Sequence, residues 1–243
     1  MLGWVGKRLL SKGGPLLNIL AVVPAYNEEE SLEATVDGLK AACPWIDVLI
    51  INDGSRDRTG EICDARGYNH LDMPVNCGLT SGFQAGMKYA LRNGYDAVVQ
   101  FDADGQHLPD YIAPMAKAME DQQADIVIAS RFLEGERGRS LRHVGNALIS
   151  WLIRITTGVT ITDPTSGMRM FSKDMFDPYA TGMDIGPEPD AVALLIRKRG
   201  AKVIEVPAQM RDRMAGESYL KPTKAILYMA RTCLNILLFQ WFR

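Results

Sequence analysis

Four short runs of apolar, mostly β-branched residues recur in the first half of the chain and constrain its fold more than any other feature. They occupy residues 19–23, 48–51, 97–101 and 126–129. Each run is continuous rather than alternating, which is typical of strands covered on both faces in a parallel sheet. Helical patterns lie between the runs. The sequence therefore predicts an α/β fold with a doubly wound, Rossmann-like and mostly parallel sheet flanked by helices.

Helix signals separate and follow these strands. Asn27 is expected to cap a helix whose first turn carries three consecutive glutamates, because acidic residues suit the positive end of the helix dipole. A second helix over 79–92 stops at an Asn-Gly pair. The later part of the chain predicts helices near 146–157 and 188–199 and a strand at 203–206. These segments show no second independent core.

Charge and cysteine content exclude several classes of function. The chain has 27 basic and 29 acidic side chains and a net charge of -2, which excludes a globally basic nucleic-acid binder. Its 47% hydrophobic content excludes disorder and collagen-like repeats. The four cysteines form no C-x-x-C pair and have no histidine partners at metal-ligand spacing. Reduced thiols in a cytosolic protein are therefore expected, rather than disulfides or structural zinc.

The two ends of the chain combine apolar and basic residues. Residues 1–15 predict a short amphipathic segment, since their apolar stretches are too short for a signal-peptide core. Residues 221–243 predict an apolar, amphipathic helix in which Arg231 would cost about 2.5 to 3.5 kcal/mol at a bilayer centre. This helix is expected to lie on a membrane surface or to pack on protein, including a second copy of the chain. Residues 16–220 between these ends are predicted to form one domain.

Polar motifs directly follow three of the predicted strands. The first strand leads into PAYNEE (24–29), the second into NDGS (52–55) and the third into DADGQH (102–107). In open α/β sheets, ligands bind beyond the carboxyl ends of the strands. These acidic motifs are therefore expected to meet at one edge of the sheet and to form a ligand site there.

Asp102 and Asp104 are spaced to hold one cation. Residues two apart in an extended chain point the same way, so both carboxylates would face one ion and Gln106 would add a neutral oxygen. Oxygen ligands without cysteine suit a hard ion such as Mg²⁺ or Mn²⁺. His107 follows this motif and is expected to have a structural or supporting role rather than to act as a base.

Asp53 and Glu28 each allow two interpretations. Asp53 fits a turn or cap residue in Asp-Gly-Ser, and it equally fits a carboxylate that accepts hydrogen bonds from a nucleobase or ribose. Glu28 fits a charge that stabilises a helix dipole, and it equally fits a residue of the ligand pocket. The residues by themselves leave both interpretations open.

Six motifs in a fixed order carry a resemblance to a known family. They are PAYNEE, NDGS, FDADGQH, ASRF (129–132), DPTSGMR (163–169) and RMAGES (213–218). With these motifs the chain closely resembles the family 2 glycosyltransferases of the GT-A fold, and within them the dolichyl- or polyprenyl-phosphate sugar transferase branch. The resemblance covers about residues 18–220 and implies a GT-A fold for that segment.

The resemblance also implies a role for each matching position. The positions that match the nucleotide pocket are Pro24, Ala25, Tyr26, Glu28, Asp53 and Asp102, and those that match the metal site are Asp102, Asp104 and Gln106. Arg131, Arg142 and Ser218 match the acceptor side, and Arg213 matches an arginine near the diphosphate. A divalent metal and Arg213 would neutralise the negative charge that builds on the departing diphosphate. Asp104 and Arg213 are therefore expected to be catalytic.

The identity of the acceptor depends on whether the reaction needs a base. A phosphate acceptor is already an anion, which arginines position without proton removal. A sugar hydroxyl needs a base, and Glu188 or Asp190 stands where many relatives with hydroxyl acceptors place an acidic pair. Both residues equally fit charges in the first turn of the helix at 188–199.

Together these expectations define one function and its alternatives. The chain is predicted to be an inverting, metal-dependent enzyme that moves a hexose from a nucleoside diphosphate sugar to polyprenyl phosphate, as a peripheral protein at the cytoplasmic face of the membrane. The first alternative adds a sugar to a hydroxyl of a cell-surface polysaccharide. Nucleotidyl transfer is disfavoured because PAYNEE is acidic where a triphosphate needs a basic loop. A catalytically silent scaffold is disfavoured because Asp102, Asp104 and Arg213 are intact.

Overall fold

The computed structural model describes residues 17–133, 141–182, 185–211 and 222–238. Its strands are β1 (Ile19–Ala25), β2 (Asp47–Asn52), β3 (His70–Asp72), β4 (Ala97–Gln100), β5 (Ile126–Ser130), β6 (Arg169–Ser172) and β7 (Val203–Pro207). Within these residues they form one seven-stranded sheet in the order β3-β2-β1-β4-β6-β5-β7. The four apolar runs are all strands, as predicted.

Neighbouring strands run parallel except around β6. β1 pairs in parallel with β2 and β4, β2 with β3, and β5 with β7, whereas β6 is antiparallel to both β4 and β5. The predicted mostly parallel sheet is thus confirmed. The sequence pattern does not predict β3 or β6, because β3 has only three residues with polar ends and β6 has four residues and begins with an arginine. Neither strand shows the continuous apolar run that marks the others.

Helices cover both faces of the sheet. Those of the described residues are α1 (Leu32–Ala42), α2 (Thr59–Arg66), α3 (Gly78–Asn93), α4 (Ile112–Gln122), α5 (Leu141–Thr157), α6 (Phe176–Thr181), α7 (Pro189–Arg199) and α8 (Pro222–Leu237), with 3₁₀ turns at Pro109–Tyr111 and Lys173–Met175. Val36 of α1 and Met115 of α4 belong to the apolar layer on one face, and Phe83 of α3 and Tyr179 of α6 belong to the layer on the other. The predicted doubly wound arrangement is therefore confirmed.

The first helix starts later than the sequence pattern predicts. α1 begins at Leu32 with Ser31 as its N-cap residue, so Asn27 does not cap it. Asn27 instead has a left-handed backbone with φ of 55°, and its Oδ1 accepts a hydrogen bond from the backbone N of Arg56 at 2.8 Å. A short polar side chain tolerates this conformation because it bonds locally. The predicted cap was wrong because Asn27 links two loops at the edge of the sheet.

The end of α3 and the bounds of α7 and β7 lie close to their predicted positions, whereas the start of α5 does not. α3 ends before Gly94, which adopts a left-handed backbone with φ of 72°, so the predicted helix stop is confirmed. α5 begins at Leu141, earlier than the predicted residue 146, and α7 and β7 agree with their predicted ranges to within one residue. The C-terminal part of the chain contains the helix α8.

Candidate active site

A cleft of about 440 Å³ lies at the carboxyl ends of β1, β2 and β4. Its lining residues come from the motifs after these strands and from the start of α3: Pro24, Ala25, Tyr26, Asn27, Glu28, Ile51, Asp53, Asn76, Gly78, Leu79, Gly82, Asp102, Ala103 and Asp104. Every position predicted for the nucleotide pocket is among them. The three acidic motifs therefore meet at one edge of the sheet, as the direction of the parallel strands requires.

Hydrogen bonds tie the loop after β1 to the loop after β2. The backbone N of Asn27 donates to Ser55 Oγ at 3.0 Å, and the backbone N of Glu28 donates to Thr59 Oγ1 at 2.9 Å. Glu28 Oε2 accepts a hydrogen bond from the Ser31 hydroxyl at 2.7 Å. The Glu28 carboxylate thus supports the turn that leads into α1 and also lines the cleft. These bonds fix the two motifs relative to each other.

Asp53 makes backbone contacts that the sequence does not reveal. It is buried, and its Oδ1 and Oδ2 accept hydrogen bonds from the backbone N–H groups of Cys77 and Gly78, both at 2.8 Å. These residues begin α3. Asp53 is therefore a cap residue, as one interpretation had it, but the helix that it caps follows the next strand along the chain. The same residue lines the cleft.

The chain turns directly after β4, which changes the predicted geometry of the acidic pair. Gly105 has φ of 76°, so the strict alternation of side chains expected from Asp102 to Gln106 was wrong. Asp102 Oδ1 accepts a hydrogen bond from Gln100 Nε2 at 3.3 Å, and Asp104 Oδ1 accepts one from the backbone N of Gln106 at 3.0 Å. Both aspartates nevertheless line the cleft.

The donor atoms at this turn fit a cation that is shared with a phosphate ligand. Across the described ranges, no group of three or more His, Cys, Asp or Glu side chains is placed to hold a metal by itself. Gln106 Nε2 donates to the carbonyl oxygen of Arg211 at 3.5 Å, and Gln106 is not among the residues that line the cleft. Mg²⁺ commonly takes only one or two protein carboxylates when phosphates and waters supply its other oxygens. Asp102 and Asp104 provide such a pair.

His107 is buried and contacts the turn that carries Asp102. The backbone N of Asp102 donates to His107 Nδ1 at 2.9 Å, which places the ring proton on Nε2, 3.5 Å from Asp102 Oδ2. The imidazole ring packs edge-on against Phe101 with the ring centroids 5.5 Å apart. Gly167 lies against both residues, since a Cβ there would come within 2.9 Å of Asp102 Oδ2. These contacts agree with a structural role for His107.

Arg131 pairs with a buried carboxylate. Its Nε and Nη2 donate to Oδ2 and Oδ1 of Asp163, both at 2.7 Å, and the Asp163 side chain is fully buried. The guanidinium lies 5.2 Å from the ring centroid of Phe132, and the Arg131 side chain is 32% exposed. Arg131 does not line the cleft. The motifs ASRF and DPTSGMR are thus joined by a bidentate ion pair, which fixes the plane of the guanidinium.

Glu205 in β7 completes this arrangement. Its carboxylate oxygens accept hydrogen bonds from the backbone N–H groups of Thr162 and Asp163 at 2.7 and 2.8 Å. Sequence analysis missed Glu205, whose signal is only a charged residue within a short apolar strand. The motif DPTSGMR does contain Asp163, but nothing in it identifies Arg131 as the partner.

The two acidic residues predicted near α7, Glu188 and Asp190, contact two different helices. Glu188 is the N-cap residue of α7, and its Oε1 accepts a hydrogen bond from the Thr80 hydroxyl at 3.0 Å. Burial raises the pKa of Glu188 above its ordinary value, against the opposing effect of the nearby Arg169 guanidinium. Asp190 Oδ2 accepts a hydrogen bond from Asn235 Nδ2 of α8 at 2.8 Å. Thr80 is in the same helix as the cleft residues Gly78 and Leu79, which places Glu188 near the cleft.

Arg169 is a buried cation that sequence analysis did not single out. Its Nη1 donates to the carbonyl oxygen of Pro187, and its Nη2 donates to that of Pro164 at 2.5 Å. The guanidinium therefore connects the DPTSGMR turn with the segment before Glu188. Its position as the last residue of DPTSGMR is the only signal in the sequence that could have identified Arg169.

Several predicted positions lie outside the part of the chain that the structure describes. These are Arg213, Ser218 and the amphipathic segment 1–15, together with the last residues of the predicted C-terminal helix, 239–243. Arg142 lies in α5, but its side chain is outside the described part as well. The predicted roles of these residues stay predictions.

Exposed apolar side chains form a stripe along α5 and another along α8. The α5 stripe consists of Val144, Leu148, Trp151 and Ile155, and the α8 stripe, with the residue after it, of Leu227, Leu234, Leu237 and Leu238. The two helices pack closely, since a Cβ on Gly145 would come within 2.5 Å of Met229 Cε. In the described ranges, no helix has the length and hydropathy needed to cross a bilayer. We refer to these eight residues as the α5–α8 surface.

Known proteins resemble this chain in sequence and in fold. The model of glycosyl transferase family 2 matches residues 20–179. An undecaprenyl-phosphate mannosyltransferase of Micrococcus luteus is 33% identical over 218 residues, which cover 83% of this chain and 87% of that protein. A polyprenol monophosphomannose synthase of Mycolicibacterium smegmatis is 31% identical over 216 residues, which cover 84% and 81%. The fold is similar to that of glucosyl-3-phosphoglycerate synthase from Mycobacterium tuberculosis, solved with Mn²⁺, UDP and glucosyl-3-phosphoglycerate, at a TM-score of 0.68, 20% identity and coverage of 92% and 80%.

Proposed function

The chain belongs to glycosyl transferase family 2, and from that premise we propose that it transfers a hexose from a nucleoside diphosphate sugar to polyprenyl phosphate. The names of the two relatives specify a polyprenyl lipid and mannose, and both relatives match most of this chain. That shared lipid acceptor supports the proposal.

The observation that carries the proposal is the cleft at the carboxyl ends of β1, β2 and β4. It brings Tyr26, Glu28, Asp53 and Asp102 to one surface, although these residues come from three separate loops. A cleft of about 440 Å³ suits a small-molecule ligand, for which typical pockets range from roughly 300 to 1,000 Å³. We assign the nucleotide to this cleft, with the diphosphate toward Asp102 and Asp104.

We assign Asp102 and Asp104 as the residues that would hold Mg²⁺ or Mn²⁺ on the donor diphosphate. When bound, such a cation supplies positive charge to a leaving diphosphate. The chain's own contribution is to keep both carboxylates at the cleft, through the Gln100 contact to Asp102 and the Gln106 contact to Asp104. The fold relative from Mycobacterium tuberculosis was solved with Mn²⁺ and UDP, which supports this choice of ion.

A phosphate acceptor needs positioning rather than deprotonation. The proposed reaction is a single displacement in which a phosphate oxygen attacks the anomeric carbon from the face opposite the diphosphate. The bond from that carbon to the diphosphate oxygen breaks, the nucleoside diphosphate leaves with the electron pair, and the configuration inverts. Arg131 can meet such an anion with the exposed part of a guanidinium that Asp163 already orients, so little further side-chain ordering is needed. Arg142, Arg213 and Ser218 belong to the proposal through the family resemblance, with Arg213 placed near the diphosphate.

We propose further that the α5–α8 surface rests on the cytoplasmic face of the membrane that holds the acceptor lipid. Trp151 is 56% exposed and Leu227 is 71% exposed, and the energy of burying such side chains is about 1.5 to 3 kcal/mol each. Arg154 and Arg231 are exposed on the same two helices and suit an anionic surface. The alternative occupant is a second copy of the chain.

A second acceptor class is favoured by one observation. Glu188 is a partly buried carboxylate that accepts a hydrogen bond from Thr80 of α3, the helix that begins at the cleft. A base for a sugar hydroxyl would need to lie near the cleft in this way. Transfer to a hydroxyl of a cell-surface polysaccharide is therefore the alternative function.

The deciding experiment offers both acceptor classes to the same protein. Labelled UDP-, GDP- and dTDP-sugars are incubated with the full chain and Mn²⁺, with polyprenyl phosphate and soluble saccharides in parallel. We expect label to enter the organic phase only when polyprenyl phosphate is present. Label that remains in the aqueous phase on a saccharide would replace the first proposal with the alternative, and no transfer from any donor would overturn both.

A further inference from the structure

Asp53 holds the start of α3 with both oxygens of its carboxylate. Oδ1 accepts the backbone N–H of Cys77 and Oδ2 accepts that of Gly78, each at 2.8 Å. A carboxylate forms strong hydrogen bonds of this kind, and it also suits the positive end of the helix dipole. The protein backbone, rather than a ligand, therefore sets the orientation of this side chain.

The residue after Asp53 lets the two loops approach even more closely. Gly54 has φ of 64°, which is unfavourable for other residues, and a Cβ at this position would come within 2.4 Å of the carbonyl carbon of Val75. Asp53 is thus hydrogen-bonded to Cys77 and Gly78, and Gly54 packs against the backbone of Val75. We refer to residues 75–78 as the 75–78 turn. Any change in Asp53 will be transmitted to this turn.

The 75–78 turn forms one wall of the cleft. Asn76 and Gly78 line the cleft together with Asp53. The side-chain amide of Asn76 offers both donors and an acceptor, whereas an ionised Asp53 can only accept. Purine and pyrimidine bases differ in where they present donors and acceptors, so an amide on the wall can distinguish them. Asn76 was missed by sequence analysis because it lies outside the acidic motifs.

We infer that Asp53 is a positioning residue that holds the 75–78 turn, and that Asn76, which this turn brings to the cleft, sets the preference for one nucleobase. This inference rests on the proposed function, because it takes the cleft to be the nucleotide site. It differs from the family-based expectation in assigning base discrimination to Asn76 instead of Asp53.

The two residues should then have different effects. Loss of Asp53 should loosen this wall of the cleft and weaken the binding of every nucleotide by a similar factor. Loss of Asn76 leaves the wall in place and changes the ratio between bases. A hydrogen bond to a charged group contributes more than one between neutral groups, so we expect about a tenfold effect for Asp53 and a two- to tenfold change in the ratio for Asn76.

The experiment combines nucleotide binding with hydrogen exchange in the full chain. Binding of UDP and of GDP is measured by calorimetry for the wild type and for Asp53→Ala, Asp53→Asn and Asn76→Ala. Exchange of the backbone amides in the 75–78 turn is followed by mass spectrometry without any ligand. Asp53→Asn retains one acceptor oxygen and is expected to give a smaller change than Asp53→Ala.

Two further variants are matched controls. Asp96→Ala removes a carboxylate that also accepts a backbone N–H, from Asn18 at 3.0 Å, at the opposite end of β4. It should leave exchange in the 75–78 turn unchanged. Asn93→Ala removes an asparagine at the other end of α3, where Nδ2 donates to the Tyr89 carbonyl at 2.8 Å. It should leave the UDP to GDP ratio unchanged.

The expected result is faster exchange in the 75–78 turn for both Asp53 variants, about tenfold for Asp53→Ala, with both nucleotides weakened alike. Asn76→Ala should change the ratio with normal exchange. Unchanged exchange in Asp53→Ala with selective loss of one nucleotide would show that Asp53 reads the base directly and would overturn the inference. An equal effect of Asn76→Ala on the binding of UDP and of GDP would overturn the role of Asn76 in nucleobase preference.

The same data separate this inference from the proposed function. If the wild type binds neither UDP nor GDP, the nucleotide site fails, and with it the role of Asn76. Hydrogen exchange then still tests whether Asp53 holds the 75–78 turn, because that measurement needs no ligand. Normal exchange in Asp53→Ala would overturn this part as well.

Discussion

The β1–β4 part of the sheet edge and the β5–β7 part hold their polar side chains in different ways. At the cleft, the carboxylates of Asp53 and Asp104 accept hydrogen bonds from backbone N–H groups, as in the contacts of Asp53 with the start of α3. Beyond β6, the side chains of Arg131 and Asp163 hold each other in a bidentate ion pair. The second arrangement makes each partner depend on the other.

This difference has a consequence for substitutions. A substitution of Asp104 that keeps its volume should affect ligand binding and catalysis more than stability, because the Asp104 contact lies within one short turn. A changed partner beyond β6 should leave a buried charge unpaired and lower stability. Four predictions test this contrast, and they run from the largest expected effect to the smallest.

Asp104→Asn should reduce transfer by at least about 10²- to 10³-fold, because it removes a charge that would hold the metal at the diphosphate. The substitution keeps the volume of the side chain, so the melting temperature should change little. Asp121→Asn, at an exposed aspartate paired with Lys117 on α4, is the matched control and should keep full activity. Normal turnover of Asp104→Asn, or full wild-type activity in excess EDTA, would contradict the metal role.

Arg131→Ala should destabilise the protein by about 3 kcal/mol, because the fully buried Asp163 carboxylate loses its bidentate partner. For a chain of this length the melting temperature should fall by about 6 to 12 °C. Acceptor KM should rise, while nucleotide affinity stays near that of the wild type.

The double variant Arg131→Ala with Asp163→Asn tests the cause of that loss. It has no buried charge left unpaired and should recover part of the stability in thermal unfolding. A single variant as stable as the wild type, or a double variant less stable than the single, would mean that the ion pair does not account for the stability of this region.

Trp151→Ser and Leu227→Ser should each weaken binding to anionic liposomes by about tenfold, since each removes apolar area from the α5–α8 surface. Flotation should also decrease partly at high salt, because charge attraction is screened and apolar contact is not. Leu91→Ser, at an exposed leucine of α3, is the control. Unchanged flotation of both variants would contradict a membrane role for the α5–α8 surface. If the variants instead lose self-association, this surface is a dimer interface.

Glu188→Gln should lower transfer to polyprenyl phosphate by less than about tenfold, because a phosphate acceptor needs no base and base removal typically costs about 10² to 10⁴. A thousandfold loss in a folded variant would favour the hydroxyl acceptor. Burial raises the pKa of Glu188, so the folded state prefers the protonated form.

The pH dependence of Glu188→Gln follows from that direction. Protonation of Glu188 stabilises the fold at low pH, and this stabilisation is lost as the pH rises through the raised pKa. Glutamine resembles the protonated form, so the variant should melt above the wild type at pH 8 and nearer to it at pH 4. Calorimetric unfolding at both values checks the sign, and the opposite order would contradict the burial of this carboxylate.

Much of the cleft could be predicted because its signals are local. A continuous β-branched run predicts a buried strand, and a polar motif directly after it must lie at the carboxyl edge. Pro24, Asp53 and Asp102 were placed together on this basis, and the cleft contains all three. The conformations of Asn27 and Gly105 could not be predicted in this way, because contacts between loops select their left-handed backbones.

The sequence by itself determined the strands, the edge where the acidic motifs meet and the family, since these depend on neighbouring residues and on the order of motifs. Only the tertiary structure decided which partner each carboxylate has. Asp53 is hydrogen-bonded to residues that lie 24 and 25 positions later in the chain. Arg131 and Asp163 are 32 positions apart, and Glu188 and Thr80 are 108 positions apart. A carboxylate accepts from any donor of suitable geometry, so its partner is set by which loops the fold brings together.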